Sequence, residues 1–146
     1  MDARPARSAD LPSLLSMMAD FNEHERIPFD EATFTPRLEQ LLKDAELGGA
    51  VIFALDGKDV GYAIVTYGFD LEYGGKDAFL TELWIVPSER RRGLGGTALA
   101  AAEELARQGG AHALHLLVRH ENSSARSLYE RAGYVTEPRA VMTKRL

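Results

Sequence analysis

The chain has 146 residues, 45% of them hydrophobic, a net charge of −5 and no cysteine. That length suits one domain, spanning residues 1–146, with a sizeable core. The missing cysteines exclude disulfides, thiolate metal sites and a cysteine nucleophile, and the acidic balance makes nucleic acid a poor first partner. No apolar run approaches the roughly 18 residues of a membrane span, and MDARPARSADLP at the N-terminus has no apolar signal core. A cytoplasmic protein that meets no membrane is the expectation.

Residues 2–6 read as a short first strand. Ser8 or Asp10 can cap a helix in which Leu11, Leu14, Leu15, Met18 and Phe21 recur at helical spacing. Residues 22–31 read as a polar connection broken by Pro28. Phe34, Leu38, Leu41 and Leu42 mark a second helix that stops near Gly48 and Gly49. AVIFAL (50–55) and VGYAIVTY (60–67) flank Asp56-Gly57-Lys58, a hairpin signal. GFDLEYGGKD (68–77) reads as a loop. FLTELWIV (79–86) is a strand, and a helix with Leu94, Ala98, Ala101, Ala102 and Leu105 on one face follows it. HALHLLV (112–118) is a further strand, 122–131 a helix, and 134–135 with 140–146 two last strands. The order is β-α-α-β-β-β-α-β-α-β-β, an α/β (α+β) chain. It predicts a mixed, mostly antiparallel sheet of 6–7 strands flanked by about four helices.

Between the apolar strand and its helix lie Arg90, Arg91, Arg92, Gly93, Leu94, Gly95 and Gly96. Glycines permit close approach of an anion to the backbone, the helix N-terminus offers free N–H groups, and arginines add bidentate donors. A phosphate site is therefore expected. The pattern lacks the lysine of a Walker loop. It meets the dinucleotide fingerprint through Gly93, Gly95 and Ala98, but lies too far along the chain and lacks the acid that should end the next strand.

The third reading is acyl-coenzyme A. Arg90-x-x-Gly93-x-Gly95 after LWIVP (83–87) resembles the acetyl-coenzyme A signature of the GNAT N-acetyltransferases. About 30 residues on, Asn122-Ser-Ser-Ala125-Arg-Ser-Leu-Tyr129-Glu130-Arg-Ala-Gly133-Tyr134 is similar to their second signature. The resemblance covers nearly the whole chain. It implies the GNAT fold and transfer of acetyl from acetyl-CoA, as cosubstrate, to a primary amine by direct attack in a ternary complex, without a metal. The pyrophosphate is then expected on the backbone between Arg90 and Gly96, with the pantetheine arm along Leu83, Trp84, Ile85 and Val86. Asn122 is expected to cap its helix and touch that arm, and Tyr129 to donate to the leaving thiolate.

Glu82 interrupts the apolar strand just before this stretch and is the candidate base for the amine; a structural carboxylate is the alternative. Members that acetylate ribosomal N-termini carry a glutamate where this chain has Leu117. His115, on the same face, reads as a packed or edge residue or a second base, and His24 and His120 as solvated loop residues. The acceptor is expected to meet the first two helices and the 68–77 loop, through Phe21, Glu23, Glu25, Phe29, Tyr67, Asp70, Glu72 and Tyr73. A small primary amine, polyamine-like or amino-acid-like, is the first choice of acceptor. A protein lysine or N-terminal amine is the alternative, and a non-catalytic acyl-CoA sensor the rival of another class. A homodimer through the last strands or a sheet edge is left open.

Overall fold

The computed structural model describes residues 1–146. In chain order it forms β1 (Asp2–Pro5), α1 (Leu11–Glu25), α2 (Glu31–Lys43), β2 (Gly48–Leu55), β3 (Lys58–Asp70), β4 (Gly75–Ile85), α3 (Leu94–Gln108), β5 (Leu114–Leu116) and α4 (Ser123–Arg131). The strands make one sheet in the order β1-β2-β3-β4-β5. Each pair is antiparallel except β4 with β5, which the α3 crossover makes parallel. No helix is long and apolar enough to cross a membrane.

The β2–β3 turn forms where the sequence predicts it. Asp56 and Gly57 both have positive φ, 51° and 78°, the backbone that matches a tight turn to the strand twist. The 68–77 stretch departs from its expected loop. β3 and β4 stay paired from Gly68 opposite Asp77 to Asp70 opposite Gly75. Only Leu71–Tyr73 turns, with the Asp70 carboxylate accepting from the Glu72 N–H at 2.9 Å. This end of the ribbon projects beyond the core, so its strands carry no hydrophobic alternation to betray them.

Helix α1 also outruns its expected end, continuing through Asn22 to Glu25 until Arg26 adopts φ 57°. Gly48 and Gly49 begin β2 rather than stopping α2. The sheet has five strands, not six or seven. Residues 134–135 and 140–146 form no strand, and Val135 and Met142 stand 81% and 95% exposed. Pro138 interrupts this segment, and its apolar side chains meet no second face to bury against. β5 is likewise reduced to three residues, paired with Ala78–Leu80.

Neighbouring residues of β2 and β3 bury on opposite faces. Phe53, Ala63 and Val65 meet Ala98, Leu99 and Ala102 of α3, while Ile52, Tyr62 and Ile64 meet Leu14, Met18 and Leu38 of α1 and α2. The central sheet is therefore covered on both sides. β4 changes face partway along. Ile64 pairs with Glu82 but Val65 pairs with Leu80, so Thr81 is an extra residue, its hydroxyl donating to the Ile64 carbonyl at 3.3 Å. This bulge leaves Leu80 on the α3 face and turns Glu82 and Trp84 to the α1–α2 face.

Candidate active site

Past Leu80 the parallel pairing of β4 and β5 ceases. The strands part, and a cleft of about 1450 Å³ opens between them, reaching α1, the start of α3 and α4. On the other side of β4 the Val86 N–H donates to the Val60 carbonyl at 2.9 Å. Strand alternation thus turns the peptide groups of Leu83 and Ile85 toward the cleft. Glu82, Trp84, Ile85, Arg90, Arg91, Gly93, Leu94, Gly95, Gly96, Asn122 and Tyr129 all line this one opening. Of the residues expected from the sequence to hold the cofactor or act in catalysis, only Val86 and Arg92 lie outside its lining.

At the cleft's glycine end, Gly93 caps α3 with φ 73°, a backbone that favours glycine. The first N–H groups of α3, from Leu94 to Thr97, have no partner within the helix. A side chain at Gly95 would come within 3.1 Å of Leu128, so this glycine lets α4 lie close against the start of α3. The arginines diverge. Arg90 folds back, its Nε donating to the Ile85 carbonyl at 2.8 Å and its guanidinium stacking 4.3 Å over the Trp84 ring. Arg92 pairs with Glu89. Arg91, at φ 63°, lines the cleft without an ionic partner.

At the other end, Tyr62 donates to Glu82 Oε2 at 2.6 Å. Burial raises the Glu82 pKa above the ordinary carboxylate value, and the Tyr62 bond only partly offsets it. Burial and the neighbouring carboxylate push the Tyr62 phenol far upward, which fixes it as the donor of that bond. Tyr129 reaches the cleft from α4. Its hydroxyl has no hydrogen-bond partner within the chain, and burial, aided by the charge of Glu25, raises its pKa. Asn122 caps α4, its Oδ1 accepting from the Ala125 N–H at 3.2 Å.

The end of α1 forms the remaining wall. Phe21 lies edge-on to Tyr62 and Trp84 at 6.4 and 6.1 Å, and His24, exposed as expected but on α1 rather than in a loop, tilts over Trp84 at 5.6 Å. Arg119, beyond β5, reaches across to Glu25 at 2.8 Å and also donates to the Glu25 carbonyl. Tyr67, Asp70, Glu72 and Tyr73 do not join this cleft. Asp70 and Tyr73 line a second opening of about 930 Å³, Glu72 pairs with Arg139, and the Tyr67 hydroxyl bonds to the Leu105 carbonyl. The extended ribbon carries them away from Glu82. Glu23 and Phe29 also lie outside the cleft lining. His115 belongs to the second opening, bonded to the buried Asp77 at 3.1 Å and packed by Tyr73 and Phe79, and His120 lines it too. No group of three His, Asp or Glu side chains gathers to hold a metal.

Tyr62, Asn22 and the Arg119–Glu25 clasp were not to be found from the sequence. Each becomes visible only through strand register or through contacts across the fold, the last of them spanning 94 positions. The overrun of α1 hides Asn22 in what reads as a polar connection.

A parted parallel pair with a glycine-bordered helix beside it defines a class, and comparison with known proteins gives the family. Residues 14–134 match the model of the Acetyltransferase (GNAT) family. The chain is 31% identical to the uncharacterized N-acetyltransferase YhfO of Bacillus subtilis (strain 168) over 134 residues, 92% of this chain and 89% of that protein. It superposes with a TM-score of 0.87 on an integron cassette protein from the mobile metagenome of Cole Harbour Salt Marsh, 27% identical, covering 99% of this chain and 90% of that one. An aminoglycoside N-acetyltransferase solved in complex with CoA shares the fold at a TM-score of 0.85 and 18% identity, over 99% of this chain and 93% of that one. The chain belongs to the GNAT family of acetyltransferases.

Proposed function

We propose that the protein transfers acetyl from acetyl-CoA to a small primary amine by direct attack, with Glu82 managing the amine's proton and Tyr129 assisting the departing thiolate. One observation carries this reading. A single cleft holds a carboxylate at one end, an unpartnered phenol in its wall, the strand-edge peptide groups of β4 along its floor and an open helix N-terminus at the other end.

The residues fit an acyl-CoA. The N–H groups from Leu94 to Thr97, with Arg91, suit the pyrophosphate. The peptide edges of Leu83 and Ile85 suit an arm lying like a strand, and a β4 N–H can receive the charge that develops on the thioester oxygen. Arg90 serves differently from its neighbours. Its bond to the Ile85 carbonyl and its stacking on Trp84 fix the end of β4 and the course of the loop.

An alkyl ammonium with a pKa of about 10.4 is neutral only about one part in a few thousand at pH 7. A carboxylate whose affinity for a proton is raised by burial is a better acceptor for that proton than an ordinary one. Glu82 takes it directly or through water. The amine lone pair then attacks the thioester carbon, the C–S bond breaks, and the proton that the attacking nitrogen sheds passes to the thiolate, directly or through water, leaving acetylated amine and free thiol. A phenol of pKa about 10 lies roughly 2 kcal/mol uphill of full transfer to a thiolate of about 8.5. Burial lifts Tyr129 further, so its contribution is a hydrogen bond that strengthens as charge reaches the sulfur. The clasp from Arg119 to Glu25 crosses the acceptor end, which favours a small amine over a peptide needing an open groove.

The test is free-thiol release from acetyl-CoA across a panel of primary amines and lysine peptides. Amine-dependent release with intersecting initial-rate lines is expected. Tight acetyl-CoA binding with no transfer to any amine would replace the enzyme by a sensor, and preferential transfer to peptides would move the acceptor to a protein.

A further inference from the structure

The acceptor end of the cleft differs from what a polyamine site needs. Three carboxylates line the opening: Glu25, Glu82 and Glu89. Two are already matched, Glu25 by Arg119 at 2.8 Å and Glu89 by Arg92. Only Glu82 lacks a cationic partner; its bond from Tyr62 is uncharged. The wall beyond it is apolar. Phe21 and Trp84 pack edge to face beside Glu82, and Phe34 and Ile27 line the same opening. Ile27 stands 45% exposed on the connection between α1 and α2.

Asn22 adds direction. It is 2% exposed, and its Nδ2 donates to the Met18 carbonyl at 2.7 Å, which turns Oδ1 the other way. Asn22 lines the cleft, and no donor of the chain satisfies that oxygen. A buried amide held by one end offers its other end as a fixed acceptor.

Resting on the acetyltransferase reading, we infer that the acceptor is a primary monoamine with an apolar, aryl or branched alkyl, body. Its single nitrogen lies between Glu82 and the Asn22 Oδ1, and its body against Phe21, Ile27, Phe34 and Trp84. Among the residues lining the cleft a second ammonium would find no free carboxylate besides Glu82; Asp20, whose charge reaches Tyr62, lies outside the lining. An acceptor bearing its own carboxylate would find Arg119 held by Glu25 and Arg90 held by Ile85 and Trp84; of the cleft's unpaired arginines, Arg91 lies beside the start of α3 and Arg131 at the end of α4.

Trp84 is the only tryptophan, so its fluorescence reads binding independently of turnover. The probes are phenethylamine and putrescine, titrated with CoA present and then assayed with acetyl-CoA. The expected result is a change in Trp84 emission at lower concentrations of phenethylamine than of putrescine. Its kcat/KM should also be higher by about tenfold or more, a ratio within reach of an apolar pocket. Ile27→Asp, at an exposed position, should narrow or reverse that preference, and Asn22→Leu should weaken phenethylamine while leaving the KM for acetyl-CoA unchanged. Putrescine preferred in both measurements, or no response of Trp84 to phenethylamine, overturns this recognition even if amines are acetylated. Phenethylamine binding without acetylation instead contradicts the enzymatic reading and leaves the recognition standing.

Discussion

Two side chains carry the proposed chemistry at the residue scale, and burial acts on both in the same direction. Glu82 holds its proton more tightly in the folded protein than in the unfolded chain. Such a group contributes stability that is complete below the unfolded carboxyl pKa and is lost as pH rises through the raised folded value. Glu82→Gln should therefore raise the unfolding midpoint relative to the native enzyme at pH 8, with the gain vanishing near pH 4; thermal melts at the two pH values check it. Tyr129→Phe should lower kcat by about a hundredfold, the low end of what a positioned proton donor supplies, with little change in the KM for acetyl-CoA. The arginines separate in the same assay. Arg91→Ala should raise the KM for acetyl-CoA, whereas Arg92→Ala, removing a residue engaged by Glu89, should leave it nearly unchanged. The sequence identifies Glu82 and Tyr129 as candidates because one breaks an apolar strand and the other sits in a signature. It does not reveal that Tyr62 holds Glu82, since that depends on a register shift, nor that adjacent arginines face different partners.

The element that decides the site's architecture is β4. Up to Leu80 it is an ordinary interior strand; at Thr81 it bulges; beyond that it stands apart from β5. Were the bulge straightened with Thr81 kept as a regular ladder residue, period-two alternation would put Glu82 on the same face as Leu80, toward α3 and away from α1. Deleting Thr81 instead makes Leu80 and Glu82 neighbours on opposite faces with the same partners on β3, so the Tyr62–Glu82 bond and turnover should both survive, with activity measured beside circular dichroism. The Arg119–Glu25 bond ties α1 to the β5–α4 connection across the opening. Arg119→Ala should raise the KM for the amine more than that for acetyl-CoA, because the clasp lies at the acceptor end. Long apolar elements such as β2, β3 and α3 were legible from periodicity. The ribbon from Gly68 to Gly75 and the last residues were not. The ribbon pairs without a buried face, and the tail has apolar residues but no surface on which to bury them.

At the scale of the whole molecule, two separate cores clamp the sheet and hold the cleft's walls in place. Leu99 anchors α3 on one side and Leu14 anchors α1 on the other, at 1% and 0% exposure. Truncating either to alanine should cost about 2–5 kcal/mol, read by urea unfolding. The chain's net charge of −5 favours a cationic over an anionic ligand, so in the proposed reading local donors at the α3 start hold the phosphates against the protein's overall field. The central claim is that a buried, Tyr62-bonded Glu82 handles the amine's proton, and the acid limb of kcat/KM for the amine against pH tests it most directly. In the native enzyme that limb should fall above the ordinary glutamate range. In Tyr62→Phe, which loses the bond that lowers the Glu82 pKa, it should move to still higher pH, and in Glu82→Gln it should disappear with most of the rate. An acid limb identical in all three proteins would contradict the account.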